Sequence, residues 1–158
     1  MQQAYPEYRC AGGNAGTREL LMPNFLTACG RMTPDALARW QSRIAQSNEN
    51  VLVVETDSRI VGWATCGPAR GTEGSDTGEV YGFYVDPDAW GSGVAYALMD
   101  AAVDVLEEQS LRPRIVWVLR DNSRARKFYG RHGFRPDGGE AQHEVEDISY
   151  PTLRLRAE

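Results

Sequence analysis

Residues 79–95, EVYGFYVDPDAWGSGVA, constrain the architecture more than any other stretch of the chain. The first seven alternate, so that Glu79, Tyr81, Phe83 and Val85 share one face by the two-residue period of a strand. Pro87 ends that strand. From Ser92 onward the apolar residues Val94, Leu98, Ala101 and Val105 recur at three and four, while Asp100, Asp104, Glu107 and Glu108 take other positions, which predicts a helix to about residue 109. The chain thus passes from strand to helix through Gly91-Ser92-Gly93. The N–H groups of a helix's first turn have no intrahelical acceptor, and the helix dipole gives them partial positive charge. With glycine at 91 and 93 no Cβ blocks their approach, so a pyrophosphate-like anion suits the place, as does a plain tight turn. The dinucleotide fingerprint fails, because the third glycine would have to stand where the chain has Tyr96, and a phosphate-loop Gly-Lys-Ser/Thr is missing.

The remaining elements surround this one. VLVVE (51–55) and RIVGWATC (59–66) are β-branched runs split by Thr56-Asp57-Ser58, which predicts an antiparallel hairpin. PDALARWQSRIAQ, behind Thr33 as cap, carries Leu37, Trp40 and Ile44 at helical spacing. RIVWVL (114–119) reads as a strand. Asp121 or Asn122 then caps a short helix with Ala125, Phe128 and Tyr129 on one side, and Gly133 closes it in a left-handed conformation. Phe134 opens a final pair of strands, the last near 148–156, where Pro151 predicts an edge strand or a bulge. No repeat and no long linker interrupts the 158 residues, so a single α/β (α+β) domain is expected over 1–158.

Charge narrows the partners. The net charge is −5, yet residues 120–135 hold six basic groups against the one acid Asp121, leaving the rest of the chain at about −10. An acidic body with one cationic segment suits a phosphorylated small ligand better than a nucleic acid, although a solvated helix face gives the same pattern. No apolar run approaches the roughly 18 residues of a membrane span, and MQQAYPEYRCAGG lacks the basic start and apolar stretch of a secretory signal. Cys10, Cys29 and Cys66 are odd in number and scattered, which points to small core or loop residues in a reducing, cytoplasmic setting, with no metal site. His132 and His143 are given surface or capping roles.

Two of these segments together resemble the GNAT superfamily of acetyl-CoA-dependent N-acetyltransferases. The phosphate motif Q/R-x-x-G-x-G/A is similar to Trp90, Gly91, Ser92, Gly93, Val94 and Ala95, behind the Tyr-Val-Asp-Pro of 84–87, with Trp90 as the departure. VLRDNSRARKFYGRHGFRPDG (118–138) resembles the family's strand, Asn, helix, Tyr and Gly-Phe run. The resemblance covers about residues 19–138. It implies a mixed, mostly antiparallel twisted sheet, split by a V-shaped gap between parallel strands 79–85 and 114–119, with flanking helices. It also implies that acetyl-CoA lies in that gap. Its pantetheine arm would pair with Phe83, Tyr84 and Val85, and its pyrophosphate would meet Gly91 to Ala95, with Tyr96 beyond. Asn122 would touch the arm, and Arg126, Lys127 and Arg131 would neighbour the adenosine phosphates.

Acetyl transfer to an amine moves two protons. A primary amine is mostly protonated at neutral pH, so a base must take its proton, and Glu79 occupies the position of the catalytic glutamate of some family members. Tyr129 matches the tyrosine that gives a proton to the leaving thiolate in many. Both residues also have plain structural readings, as a strand-end acid and a core aromatic. LLMPNFL (20–26) with Trp40 and Arg43 resembles a small-molecule branch of the family, while residues 1–18 depart from its usual first strand and helix and are expected to be irregular or disordered. The acidic run Asp137, Glu140, Glu144, Glu146 and Asp147 suits either a cationic amine or solvent. The leading expectation is an N-acetyltransferase of a small-molecule amine. A protein or peptide N-acetyltransferase and a non-catalytic acyl-CoA binding protein are the alternatives, and homodimerisation stays open.

Overall fold

The structure, a computed structural model, describes residues 8–10, 49–56, 59–145 and 148–158. The helix expected from Pro34, the 20–26 segment, Trp40, Arg43 and Cys29 lie outside the described residues, as do residues 1–7 and 11–18 of the atypical N-terminal segment. In chain order the elements are β1 (Tyr8–Cys10), β2 (Asn50–Thr56), β3 (Arg59–Pro68), β4 (Gly78–Val85), a 3-10 turn (Pro87–Ala89), α1 (Val94–Glu108), β5 (Arg114–Leu119), α2 (Ser123–Arg131), β6 (Arg135–Val145) and β7 (Ile148–Ala157). The pairs β1–β2, β2–β3, β5–β7 and β6–β7 are antiparallel, and β4–β5 is parallel. The class is therefore mixed α/β with a mostly antiparallel sheet and two parallel strands, as expected.

The chain divides into two compact units, residues 1–67 with 82–105 and residues 68–81 with 106–158, and β4 runs through both. In the first unit the strand order is β1-β2-β3-β4. Leu52, Val53 and Val54 of β2, Ala64 and Cys66 of β3, and Leu98, Met99 and Ala102 of α1 form its buried core. The three-and-four spacing of α1 produces this, since its apolar stripe turns inward while Asp100 and Asp104 stay outside the core. Each fully buried leucine contributes roughly 1.5–3 kcal/mol. The Cys66 thiol donates to the Ala102 carbonyl at 3.9 Å.

In the second unit the order is β4-β5-β7-β6. The parallel ladder pairs Gly78 with Arg114, Glu79 with Ile115 and Val80 with Val116, three pairs between strands of eight and six residues. Ile115, Val116, Phe134 and Leu155 are buried, and a Cβ on Gly78 would lie 3.1 Å from Leu106 and 3.2 Å from Leu111. Arg114 is buried between partners: Nη1 donates to Glu107 at 2.7 Å and Nη2 to the Glu158 carbonyl at 2.5 Å. Arg154 reaches both Glu73, at 2.5 Å, and Asp137, at 2.8 Å. Burial pushes the Asp137 carboxyl up, but the Gly139 amide and the Arg154 guanidinium outweigh it and hold the group below its usual value. Glu140 pairs with Arg120 at 2.8 Å, so these two members of the acidic run serve ion pairs.

Two expectations change. Pro151 does not mark an edge, because β7 lies between β5 and β6. The residue escapes the proline penalty because the ladder to β5 begins one residue later, at Thr152 opposite Leu119, while the Pro151 carbonyl accepts the Arg120 N–H at 2.9 Å. The irregularity sits in β6, between Pro136 and Glu140, where Gly138 has φ +88°. Nor does β4 keep one face from Glu79 to Val85. Strict alternation would set Gly78 and Val85 on opposite faces. Yet Gly78 faces Leu106 of α1, and Val85 shares with Leu98 of α1 the space beside Gly62, so the period slips by one residue along the strand. Gly82 turns to Trp63 and Thr65, and Tyr84 stacks on the Trp63 ring at 6.4 Å.

A Cβ on Gly82 would lie 2.7 Å from the Trp63 ring and 3.1 Å from Thr65 Oγ1. Gly82→Ala is expected to destabilise the chain by about 1–3 kcal/mol through overpacking. Urea denaturation measures it, and an unchanged midpoint would show that the Trp63 ring yields without cost.

Candidate active site

The strand-to-helix passage forms as a pinned loop. Asp86 takes the N–H of Asp88 on its side chain at 3.0 Å, the Trp90 N–H reaches the Pro87 carbonyl at 3.1 Å, and the 3-10 turn closes between them. The Trp90 indole N–H then donates to the Val85 carbonyl at 3.0 Å, tying the loop to the end of β4. Trp90 is 51% exposed, so this bond does more to place it than burial does. Its position, where the resembling family carries Gln or Arg, thus has a structural occupation. Tyr84 is exposed, Phe83 half-buried and Val85 buried.

Gly91 and Gly93 stand at φ +82° and +92°, the left-handed region that favours glycine, and the space a Cβ would fill is open at both. Gly93 caps α1, its carbonyl accepting the Ala97 N–H at 3.1 Å. Ser92 Oγ donates to the Ala89 carbonyl at 2.6 Å and accepts the Val94 N–H at 3.5 Å. No acidic side chain occupies the first turn of α1, which holds Val94, Ala95 and the partly exposed Tyr96. A helix N-terminus with open space over two glycines and no competing carboxylate fits a pyrophosphate.

Helix α2 is framed by its caps. The Asn122 side chain accepts the Ala125 N–H at 3.0 Å, so the residue expected to touch a cofactor arm is also the N-cap. Gly133, at φ +85°, ends the helix, where the Phe134 N–H meets the Tyr129 carbonyl at 3.1 Å. Tyr129 is 7% exposed and packs edge-on against Phe128 and Phe134, with ring centroids 5.4 and 6.0 Å away. Burial pushes its hydroxyl up to about 12. The cations grouped by sequence separate on the helix: at about 100° per residue, Arg126 sits roughly 60° from Tyr129 and Lys127 on the far side. Arg126 and Lys127 both line a cavity of about 500 Å³ with Gly130, Phe134 and Arg135, whereas exposed Arg131 does not.

Glu79 lies elsewhere in the second unit, at the floor of a larger cavity of about 800 Å³. It is 8% exposed, and its Oε2 accepts the backbone N–H of Arg70 at 2.9 Å. Tyr81 of β4, Trp117 of β5 and Tyr150 of β7 supply aromatic walls, and Arg70, Leu119, Ala141, Gln142, His143 and Thr152 complete the lining. Sequence reasoning missed Trp117, Tyr150 and His143, because the β5–β7–β6 register that gathers them leaves no local signal, and it missed Arg70, which lies in the loop between β3 and β4. Among the described residues no cluster of three or more His, Cys, Asp or Glu side chains is placed to hold a metal, and no helix is long and apolar enough to cross a membrane.

Residues 15–134 match the model of the acetyltransferase (GNAT) family. The chain belongs to the GNAT acetyltransferase family. An N-acetyltransferase of Archaeoglobus fulgidus is 30% identical over 99 residues, covering 61% of this chain and 67% of that protein. A mycothiol acetyltransferase of Beutenbergia cavernae is 41% identical over 69 residues, 44% of this GNAT chain but 23% of the relative, so the match spans about a quarter of that protein's length. The crystal structure of an N-acetyltransferase from Staphylococcus aureus Mu50 shares the fold at a TM-score of 0.72, with 18% identity over 98% of this chain and 99% of that one.

The Tyr129 shift carries a stability signature. A tyrosine whose folded value lies above its unfolded value of about 10 contributes stability that is fully present below pH 10 and is lost as pH rises through the folded value. From pH 9 to 12 the parent is expected to lose about 2–3 kcal/mol relative to Tyr129→Phe. Denaturant titrations of both proteins across that range check this; a constant difference would remove the burial assignment.

Proposed function

We propose that this GNAT chain is an N-acetyltransferase that moves the acetyl group of acetyl-CoA to the primary amine of a small molecule, by direct attack of the amine on the thioester. The observation that carries the reading is Glu79, a carboxylate at the floor of a cavity whose size suits a small ligand. Walls from β4, β5, β6 and β7 favour a compact acceptor over an extended peptide. The similarity to a mycothiol acetyltransferase agrees with a non-protein acceptor.

Acetyl-CoA, when bound, supplies an activated acyl group and a thiolate leaving group. The backbone amides of Gly91 to Ala95 hold its pyrophosphate, with Trp90 keeping the loop in shape and Tyr96 at its margin. The backbone of Phe83, Tyr84 and Val85 pairs with the pantetheine arm, Asn122 offers its amide, and Arg126, Lys127 and Arg131 supply positive charge for the adenosine phosphates. Glu79 takes the proton that the amine loses as its nitrogen bonds to the acetyl carbon. Tyr129 gives its proton to the sulfur as the C–S bond breaks, and its raised value keeps that proton in place across the neutral range.

Release of free thiol from acetyl-CoA across a panel of small amines and peptides tests the activity. Turnover of peptides but not small amines would reassign the acceptor class. Glu79→Gln retains an oxygen for the Arg70 N–H, so its effect falls on proton transfer rather than on folding. It is expected to lower kcat by about 10²–10⁴ while leaving acetyl-CoA affinity within about twofold. Parent-like kcat at every pH would remove the base assignment. Gly93→Val forces a β-branched residue into a positive φ and fills the open space, so acetyl-CoA affinity should fall at least about tenfold. Calorimetric titration reads it, and an unaltered Kd would refute the cradle.

A further inference from the structure

Helix α2 borders the cavity of about 500 Å³, which lies wholly within the second unit. Ser123, Arg126, Lys127 and Gly130 line it at spacings of three and four, so they form one stripe along the helix. At about 100° per residue the stripe lies roughly 60–160° round the helix from Tyr129, with Arg126 nearest to it and Lys127 farthest. Phe134, Pro136 and Leu155 supply apolar surface opposite, and Arg135 adds a third cation. Arg135 Nη1 donates to the carbonyls of Gly130 and Phe134 at 2.6 and 2.8 Å, which pins the guanidinium at the C-terminal end of α2. Arg126 Nη1 is likewise tethered to the Arg120 carbonyl, at 3.2 Å. Neither tether neutralises a charge. Among the described residues no carboxylate lines the cavity, and Arg126, Lys127 and Arg135 take part in no ion pair. Asp137, which follows Pro136, is already held by Arg154 at 2.8 Å.

A cationic ligand would meet three like charges here. A nucleic acid would meet an acidic chain of net charge −5. Inorganic phosphate would leave the apolar surface unused. A phosphate monoester on an aromatic or apolar body satisfies the whole lining: guanidiniums take phosphate oxygens in pairs, lysine adds a point charge, and the body covers Phe134, Pro136 and Leu155. We propose that this cavity binds a small organic phosphate of that kind, and that its occupant competes with acetyl-CoA. Arg126 and Lys127 are the shared cations, since the N-acetyltransferase reading above gives them to the adenosine phosphates, whereas Arg135 belongs to the cavity alone. The competition rests on that reading, and the phosphate site stands on the cavity itself.

Lys127 is the sole lysine of the 158 residues, which allows a direct test. Pyridoxal phosphate carries an aromatic body, one phosphate and an aldehyde; the aldehyde loses water to form an imine with a lysine amine, and cyanoborohydride reduces the imine to a stable label. Peptide mass spectrometry reads the rate at Lys127, relative to free Nα-acetyl-lysine, with 5′-deoxypyridoxal as the control that lacks phosphate. The parent is expected to label at least about tenfold faster with pyridoxal phosphate, and Arg135→Gln to shrink that ratio to within about threefold while leaving the Kd of acetyl-CoA within about threefold. Phenyl phosphate should protect Lys127 better than inorganic phosphate does, phenol not at all, and saturating acetyl-CoA should slow the label too. Equal rates with the two aldehydes overturn the proposal, as does a ratio that survives Arg135→Gln in protein that thermal melts show to be folded. The protection arm decides the same point in the parent: no protection by phenyl phosphate, or equal protection by inorganic phosphate, overturns it. An acetyl-CoA affinity that falls with Arg135→Gln as far as the labelling ratio makes the cavity the cosubstrate's own seat and overturns it as well. Labelling that bound acetyl-CoA leaves unslowed overturns the competition. Selective labelling of protein that does not bind acetyl-CoA refutes the cosubstrate reading, and the competition with it, and upholds the phosphate site.

Discussion

The short parallel ladder between β4 and β5 is the constraint on which the rest depends. Three pairs, from Gly78–Arg114 to Val80–Val116, bring Glu79 into the second unit's sheet, while the far end of the same strand delivers Val85 to the Trp90 loop. Parallel pairing has no tight-turn solution and needs a long crossover, which α1 supplies. Two close approaches make the ladder specific: Gly78 admits Leu106 and Leu111 where a side chain would collide, and Arg114 is clamped by Glu107 and the Glu158 carbonyl. A buried arginine with one partner removed would leave an uncompensated charge, so this clamp discriminates against other registers as much as it adds stability.

Much of this was readable from local pattern. The two-residue period located β2, β3, β4 and β5, the three-and-four period located α1, and the capping residues Asn122 and Gly133 framed α2. The glycines at 91 and 93 could be recognised as a bare N-terminus because the conformations they need, both at positive φ, are ones that other residues rarely adopt. The expected face of β4 failed because a strand's period assumes no slip, and the slip is set by neighbours, with α1 at both ends and Trp63 between. Pro151 misled for a similar reason. Proline forbids one hydrogen bond, and a strand can bury itself between two others if that bond falls just beyond the ladder.

The cavity at Glu79 was the least readable part. Glu79 could be chosen from its place on the strand, but its surroundings come from the β4–β5 ladder, which brings Trp117 near, and from the pairing of β7 with both β5 and β6, which brings Tyr150 and His143. Register of that kind follows from tertiary packing and from the bulge near Gly138, features with no sequence period. Arg70 is harder still, since it lies in the loop between β3 and β4, where no period places it beside the Tyr81 ring and the Glu79 carboxylate.

The indole of Trp90 has one more consequence. The loop it ties to Val85 carries no ionisable side chain from residue 89 to residue 95, so the positive charge it offers is that of fixed peptide dipoles. Such dipoles do not titrate. An anion held by them would bind with the same strength across the neutral range. Trp90 thus shapes the loop without adding a charge of its own.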